Sequence, residues 1–128
     1  MKILASAENY LERILMLKEQ QGVVRSIDIA HSMNFTKASV SIAMKQLREN
    51  GYVGVGEGGS IELTEKGYAI AARTWERHRV VTELLTSFGV PLNTAREDAC
   101  RIEHDLSDES FRCIQAHLQG KKTKKTPS

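Results

Sequence analysis

The sequence has no apolar run near the roughly 18 residues that a membrane span needs. Its opening, MKILASAENYLERI, carries one lysine and a short apolar stretch before Glu8, without the long apolar core of a secretory signal. A cytoplasmic location is therefore expected, with no membrane partner. Cysteine is scarce as well: Cys100 and Cys113 stand thirteen apart with no CxxC pair, which argues against a disulfide framework and for reduced thiols. Only two prolines accompany 41% hydrophobic and 27% charged residues, a balance that excludes a disordered chain. There is no HExxH string, no general base placed by spacing and no internal repeat, so no enzyme and no small-molecule substrate are expected. At 128 residues the chain suits one domain, or a small domain with an appended bundle, and is too short for a large barrel.

What is present is uneven in charge. Residues 1–50 hold seven Lys/Arg against five Asp/Glu, residues 51–118 hold seven against eleven, and residues 119–128 hold four lysines and no acid. The net of +2 thus hides an N-terminal part suited to polyanions and a middle suited to cations.

Residues 7–20 place Leu11, Ile14, Leu15 and Lys18 at helical spacing, and Gly22 stops that helix. Ser26 reads as the cap of a short helix ending near Asn34, and Thr36 as the cap of KASVSIAMKQLREN, which Gly51 ends. YVGV and SIEL around Glu57-Gly58-Gly59 read as a hairpin. A long helix follows from Thr64 to about Phe88, with Tyr68, Ala71, Trp75, Val81, Leu84, Leu85 and Phe88 as apolar members. Gly89 and Pro91 break it. Further helices cover about Asn93–Leu106 and the stretch from Ser107 that carries Phe111, Ile114 and Leu118. The expected fold is mostly α with a small β-hairpin: an N-terminal winged helix-turn-helix over 1–72, a helical domain over 73–118, and a disordered basic tail over 119–128.

Three helices and a hairpin in that order form a reader of duplex DNA, provided the third helix presents small, polar or basic residues to the major groove. Thr36, Lys37, Ser39, Ser41 and Lys45 meet that requirement as DNA-binding residues, while Val40, Ile42, Met44 and Leu47 are expected to hold the helix on its domain. The wing has no Lys or Arg between Gly51 and Ser60, so it reads as a poor phosphate clamp. An interaction-only winged helix is the alternative at this stage.

A second chemistry sits further along. Cys100, Glu103 and His104 stand at i, i+3 and i+4, so a helix would project a thiol, a carboxylate and an imidazole from one face. Taken alone, such a string is more often an ordinary helix face. His78 lies among Trp75 and Val81, where a lone histidine is usually a satisfied core residue, and Asn9 and Glu12 one turn apart in the first helix are oxygen donors or merely surface polar groups.

SAENYLERI, IDIAHSMNFTKASVSIAMKQL, IELTEKG, the ERH at 76–78 and above all EDACRIEHDLSDES resemble the diphtheria-toxin-repressor and manganese-transport-regulator family of metal-dependent transcriptional repressors. The resemblance covers about residues 6–118 with motif spacing kept. It implies a homodimer whose winged helix binds a double-stranded DNA operator and whose C-terminal helices form the dimer interface. It further implies a divalent transition metal bridging the two domains, held by Asn9, Glu12, His78, Cys100, Glu103 and His104. The manganese branch is similar but carries carboxylates at the places of Asn9 and Cys100; the iron branch resembles this chain at Cys100 but has a thioether at the place of Asn9. Thr82 and Arg96 stand where longer members, which add an SH3-like domain, carry ancillary ligands, so the resemblance does not extend to that site.

Ligand chemistry bears on the ion. A thiolate with two imidazoles favours later, softer divalent ions over Mn(II), which prefers oxygen. Fe(II) is expected first and Mn(II) next, with Zn(II) or Co(II) substituting, and one ion per subunit because no carboxylate at position 100 is there to bridge two. The alternative in the same class is a metal-independent winged-helix regulator answering to a small organic ligand or a partner.

Overall fold

The computed structural model describes residues 5–123. The chain divides into two compact units, Met1–Thr74 and Trp75–Ser128. The first is built from α1 (Ala5–Gln21), α2 (Ser26–Met33), α3 (Lys37–Glu49), β1 (Val53–Val55) and β2 (Ile61–Leu63), and takes in the start of α4 (Glu65–Ser87). The second holds the remainder of α4, then α5 (Leu92–Ile102) and α6 (Asp108–Thr123). The expected basic tail therefore begins as helix, and its part beyond Thr123 lies outside the described residues.

In the first unit the periodic apolar residues do what their spacing dictates. Leu11, Ile14 and Leu15 of α1, Ile29 of α2, and Val40, Met44 and Leu47 of α3 are buried. Gly22, at φ +85°, ends α1 in the left-handed backbone that glycine adopts without a Cβ penalty. Asn34 ends α2 at φ 58°, a role its short polar side chain tolerates. Thr36 caps α3, its Oγ1 accepting from the Ser39 amide at 3.1 Å.

Two expectations change here. The cap of α2 is Arg25, whose amide donates to Asp28 at 2.9 Å, and Ser26 is already inside the helix. Ile42 does not hold α3 on its domain: it is 61% exposed, because Val40, Met44 and Leu47 set the buried stripe and Ile42 points the other way.

β1 and β2 pair antiparallel with Val53 opposite Leu63 and Val55 opposite Ile61, around a single 3-10 turn at Glu57–Gly59. The hairpin is anchored at both ends. The Ile61 amide donates to the Val24 carbonyl at 2.6 Å, and Arg25 Nε donates to the Gly58 carbonyl at 3.0 Å. Thr64 Oγ1 donates to the Gly51 carbonyl at 2.7 Å and accepts from the Gly67 amide at 3.1 Å, capping α4 against the first strand.

α4 and the second unit depart from expectation in three places. Phe88 is 68% exposed beyond the end of α4, and Tyr68, on the part of α4 within the first unit, is 54% exposed, so neither belongs to the core. The apolar side of α4 is instead carried by Ala71 and Val81. α5 ends at Ile102 rather than Leu106, because its chain turns at Glu103, with the Asp105 amide donating to the Ile102 carbonyl at 2.9 Å. α6 starts where Ser107 Oγ accepts from the Ser110 amide at 3.1 Å, and buries Phe111 and Leu118.

Candidate metal centre and DNA-reading face

Cys100, Glu103 and His104 do not share one helix. Cys100 is in the last turn of α5, Glu103 is that helix's C-cap, and His104 lies in the turn beyond. The turn is nonetheless what aims the donors. Glu103 is 1% exposed, the most buried acid among the described residues, and its carboxylate is flanked on both sides by imidazoles. His78 Nδ1, from α4, stands 3.2 Å from one oxygen and His104 Nε2 stands 3.4 Å from the other. Neither oxygen of Glu103 accepts a hydrogen bond of proper geometry.

A buried carboxylate without hydrogen-bond donors costs several kcal/mol unless a cation neutralises it, by the general scale of about 2–7 kcal/mol for even a neutral polar group. A carboxylate with a ring nitrogen close to each of its two oxygens offers donor types that a divalent transition metal takes. The residues present therefore fit such an ion on chemical grounds. Cys100 is exposed one turn upstream and, like the exposed Cys113, is in no disulfide. Asn9 and Glu12 sit on α1 of the first unit, Asn9 partly buried and Glu12 buried.

Arg77, which sequence reasoning passed over, braces this turn. It is 8% exposed; its Nη1 donates to the carbonyl oxygens of Glu103 at 3.1 Å and Leu106 at 2.7 Å. Its Nη2 pairs with the Asp108 carboxylate, and the guanidinium lies 5.1 Å from the centre of the Phe111 ring. Only the neighbouring position to His78 hinted at it, since a surface arginine reads the same in sequence.

On the reading helix, Lys37, Ser41 and Lys45 are exposed along α3, as a groove-reading surface requires. Thr36 and Ser39 are exposed too, but they are engaged with each other in the cap, Thr36 Oγ1 donating to Ser39 Oγ at 2.8 Å. A second missed residue is Arg25: by reaching the Gly58 carbonyl it gives the tip of the wing a cation that the hairpin's own sequence lacks.

Two family models match the chain. Residues 2–58 match the N-terminal DNA binding domain of the iron dependent repressors, and residues 64–126 match their metal binding and dimerisation domain. An uncharacterised helix-turn-helix-type transcriptional regulator of Methanocaldococcus jannaschii is 35% identical over 121 residues, 93% of this chain and 97% of that one. The chain belongs to the diphtheria-toxin-repressor and manganese-regulator family of metal-dependent transcriptional repressors. The diphtheria toxin repressor of Corynebacterium efficiens is 32% identical over 81% of this chain. A solved manganese-dependent transcriptional repressor in complex with manganese superposes with a TM-score of 0.80 at 27% identity over 88% of it. This metal-dependent repressor thus spans nearly the whole of its archaeal relative but 46% of the diphtheria toxin repressor and 52% of the solved chain. It carries the family's DNA-binding domain and its metal-binding and dimerisation domain, the fold expected from the sequence. The related proteins are regulators by name, not enzymes, and no helix among the described residues is long and apolar enough to cross a membrane.

Proposed function

We propose that this repressor is a homodimeric cytoplasmic regulator of metal-ion homeostasis that binds its DNA operator when a divalent transition metal is bound, Fe(II) before Mn(II). The observation that carries the proposal is the buried Glu103 carboxylate set between His78 and His104 with no hydrogen bond to either oxygen. In this reading His78, Glu103 and His104 hold the ion, Cys100 adds a soft donor, and the family resemblance assigns the remaining donors to Asn9 and Glu12. The bound ion supplies the positive charge that Glu103 otherwise lacks.

The chain's own residues do the rest. Arg77 ties down the Glu103–Leu106 turn that carries Glu103 and His104. Six Asp/Glu against two Arg between Arg96 and Ser110 bias the field toward cations. Lys37 and Lys45 offer charge to phosphates or guanine, and Thr36, Ser39 and Ser41 offer hydroxyls to backbone or base edges. Occupancy and DNA affinity are then linked, so DNA tightens metal by the factor by which metal tightens DNA.

The test is a DNA-shift titration with Fe(II), Mn(II), Zn(II) and Co(II), each with a chelator control. Binding that appears with metal and vanishes with chelator is the expected result; binding indifferent to chelation overturns it in favour of a metal-independent regulator. Activation by Mn(II) alone would overturn the preference for Fe(II) while leaving metal control intact.

A further inference from the structure

We propose that Ile42 is a base-reading residue of this repressor and that it recognises thymine through the C5-methyl group. The inference rests on the reading of α3 as the helix that enters the operator and adds what that helix prefers there. At about 100° per residue, Ile42 lies roughly 200° round the helix from Val40. Val40 is wholly buried and Ile42 is 61% exposed, so the isoleucine stands at the summit of the outward face.

A single exposed apolar residue is ordinary on a protein surface. This one is set apart by its company. Ala38, one turn before it, and Ser41 and Lys45 beside it are all exposed, and Lys37 opens the helix. That stripe joins two apolar side chains to a hydroxyl and two cations, with no acid before Glu49. Lys37 and Lys45 are suited to phosphates on either side, which would carry the middle of the stripe down to the base edges. Ile42 sits in the second turn of α3, in the part of a reading helix that meets bases.

An isoleucine there offers no donor and no acceptor. In the major groove the one base feature it can match is the thymine methyl, and against it stand the exposed hydrogen-bonding edges of guanine, cytosine and adenine, which it would desolvate without return. Specificity at that base pair is then for a T·A pair with the methyl toward α3.

The test uses the full-length chain with saturating Fe(II) or Mn(II). Wild type and Ile42→Ala each select duplexes from a random library, and the enriched duplex is then rebuilt with deoxyuridine for each thymine in turn, which removes only the methyl. Wild type should enrich one thymine per half-site that Ile42→Ala does not. Deoxyuridine at that base should weaken wild type about fourfold, the equivalent of about 0.8 kcal/mol for one buried methyl-sized group, and leave Ile42→Ala unaffected. Because the side chain is exposed, the variant's metal affinity and helical circular dichroism should equal those of wild type. An identical selected site with identical deoxyuridine penalties in both proteins would overturn the assignment. Wild type selecting no sequence with metal would instead overturn the operator-binding reading beneath it.

Discussion

The guanidinium of Arg77 donates to the main-chain oxygen of Glu103 at 3.1 Å, while the side chain of the next residue, His78, lies 3.2 Å from the Glu103 carboxylate. Two successive residues of α4 thus grip one acid by its backbone and its side chain. Since Leu106 is held by the same Nη1 at 2.7 Å, the whole turn after α5 is pinned from α4.

Arg77→Ala should therefore both destabilise the second unit and loosen the metal centre. One buried and one part-buried carbonyl oxygen lose their donor, at about 1–3 kcal/mol for a buried group left unsatisfied, and the packing over Phe111 goes with it. A loss of about 2–4 kcal/mol by denaturant unfolding is expected on that scale. Arg77→Lys keeps the charge but not the planar fork that reaches two carbonyls and a carboxylate at once, so it should recover folding in part while metal affinity stays low. Full metal affinity in Arg77→Lys, measured by competition with a chromogenic chelator, would show that the turn needs no such brace.

Chelation should lower the melting temperature of wild type and leave Glu103→Gln unmoved. The ion binds the folded chain and stabilises it by about 2.7 kcal/mol at one hundred times its dissociation constant. Glu103→Gln removes a buried charge, so its metal-free form should be at least as stable as metal-free wild type, yet without a metal-dependent gain. A chelator-sensitive melting temperature in Glu103→Gln would take that carboxylate out of the site.

Cys100→Asp should shift the preference of the centre toward Mn(II). The substitution replaces a soft thiolate by a hard carboxylate in the same turn of α5, which disfavours Zn(II) and Co(II) relative to Mn(II). Wild type loaded with Co(II) should show the intense near-ultraviolet charge-transfer absorption of a thiolate ligand, and Cys100→Asp should lack it. Absence of that band in wild type would mean the exposed thiol is not a ligand.

Much of this was legible before any coordinates. Thr36, Gly22 and Asn34 announce helix ends by chemistry that acts locally, and the stripe Val40, Met44, Leu47 announces a buried face by period alone. Ile42 departs from expectation because apolarity alone does not entail burial, and the helical period gives the inward face to Val40, Met44 and Leu47. The end of α5 was missed because its stop is tertiary: no glycine or proline stands at Glu103, and what bends the chain there is the long-range hold of Arg77 on Glu103 and Leu106. Arg25 escaped for the same reason, since its partner, Gly58, is 33 residues away.

Arg25→Ala should weaken DNA binding evenly across sequences. Its guanidinium is held at the tip of the wing by the Gly58 carbonyl, a place for a phosphate contact and not a base contact. The slope of log affinity against log salt should fall in magnitude by about one, with the selected sequence and the metal affinity unchanged. An unaltered slope would leave Arg25 as a purely structural tie between the α2 cap and the hairpin.

Gly67→Ala and Gly120→Ala should move stability in opposite directions. Both glycines lie inside helices, where alanine is favoured by about 1 kcal/mol. At Gly120 a Cβ meets nothing within 4 Å, so the propensity gain stands and α6 should be stabilised by about 0.5–1 kcal/mol. At Gly67 the added Cβ would run into the Tyr52 carbonyl, coming within 2.9 Å of its carbon and closer still to its oxygen. That obstacle is backbone and cannot rotate away. The same oxygen accepts from the Thr64 amide and from Thr64 Oγ1, each at 3.1 Å, so relief by displacement would cost the cap of α4. An overpacking cost of about 1–3 kcal/mol then exceeds the propensity gain together with the lost cap, and a net loss of about 1–3 kcal/mol is expected by thermal or denaturant unfolding on that scale. Equal and positive effects at both glycines would show that the start of α4 does not press on the first strand of the wing as closely as Tyr52 and Gly67 place it.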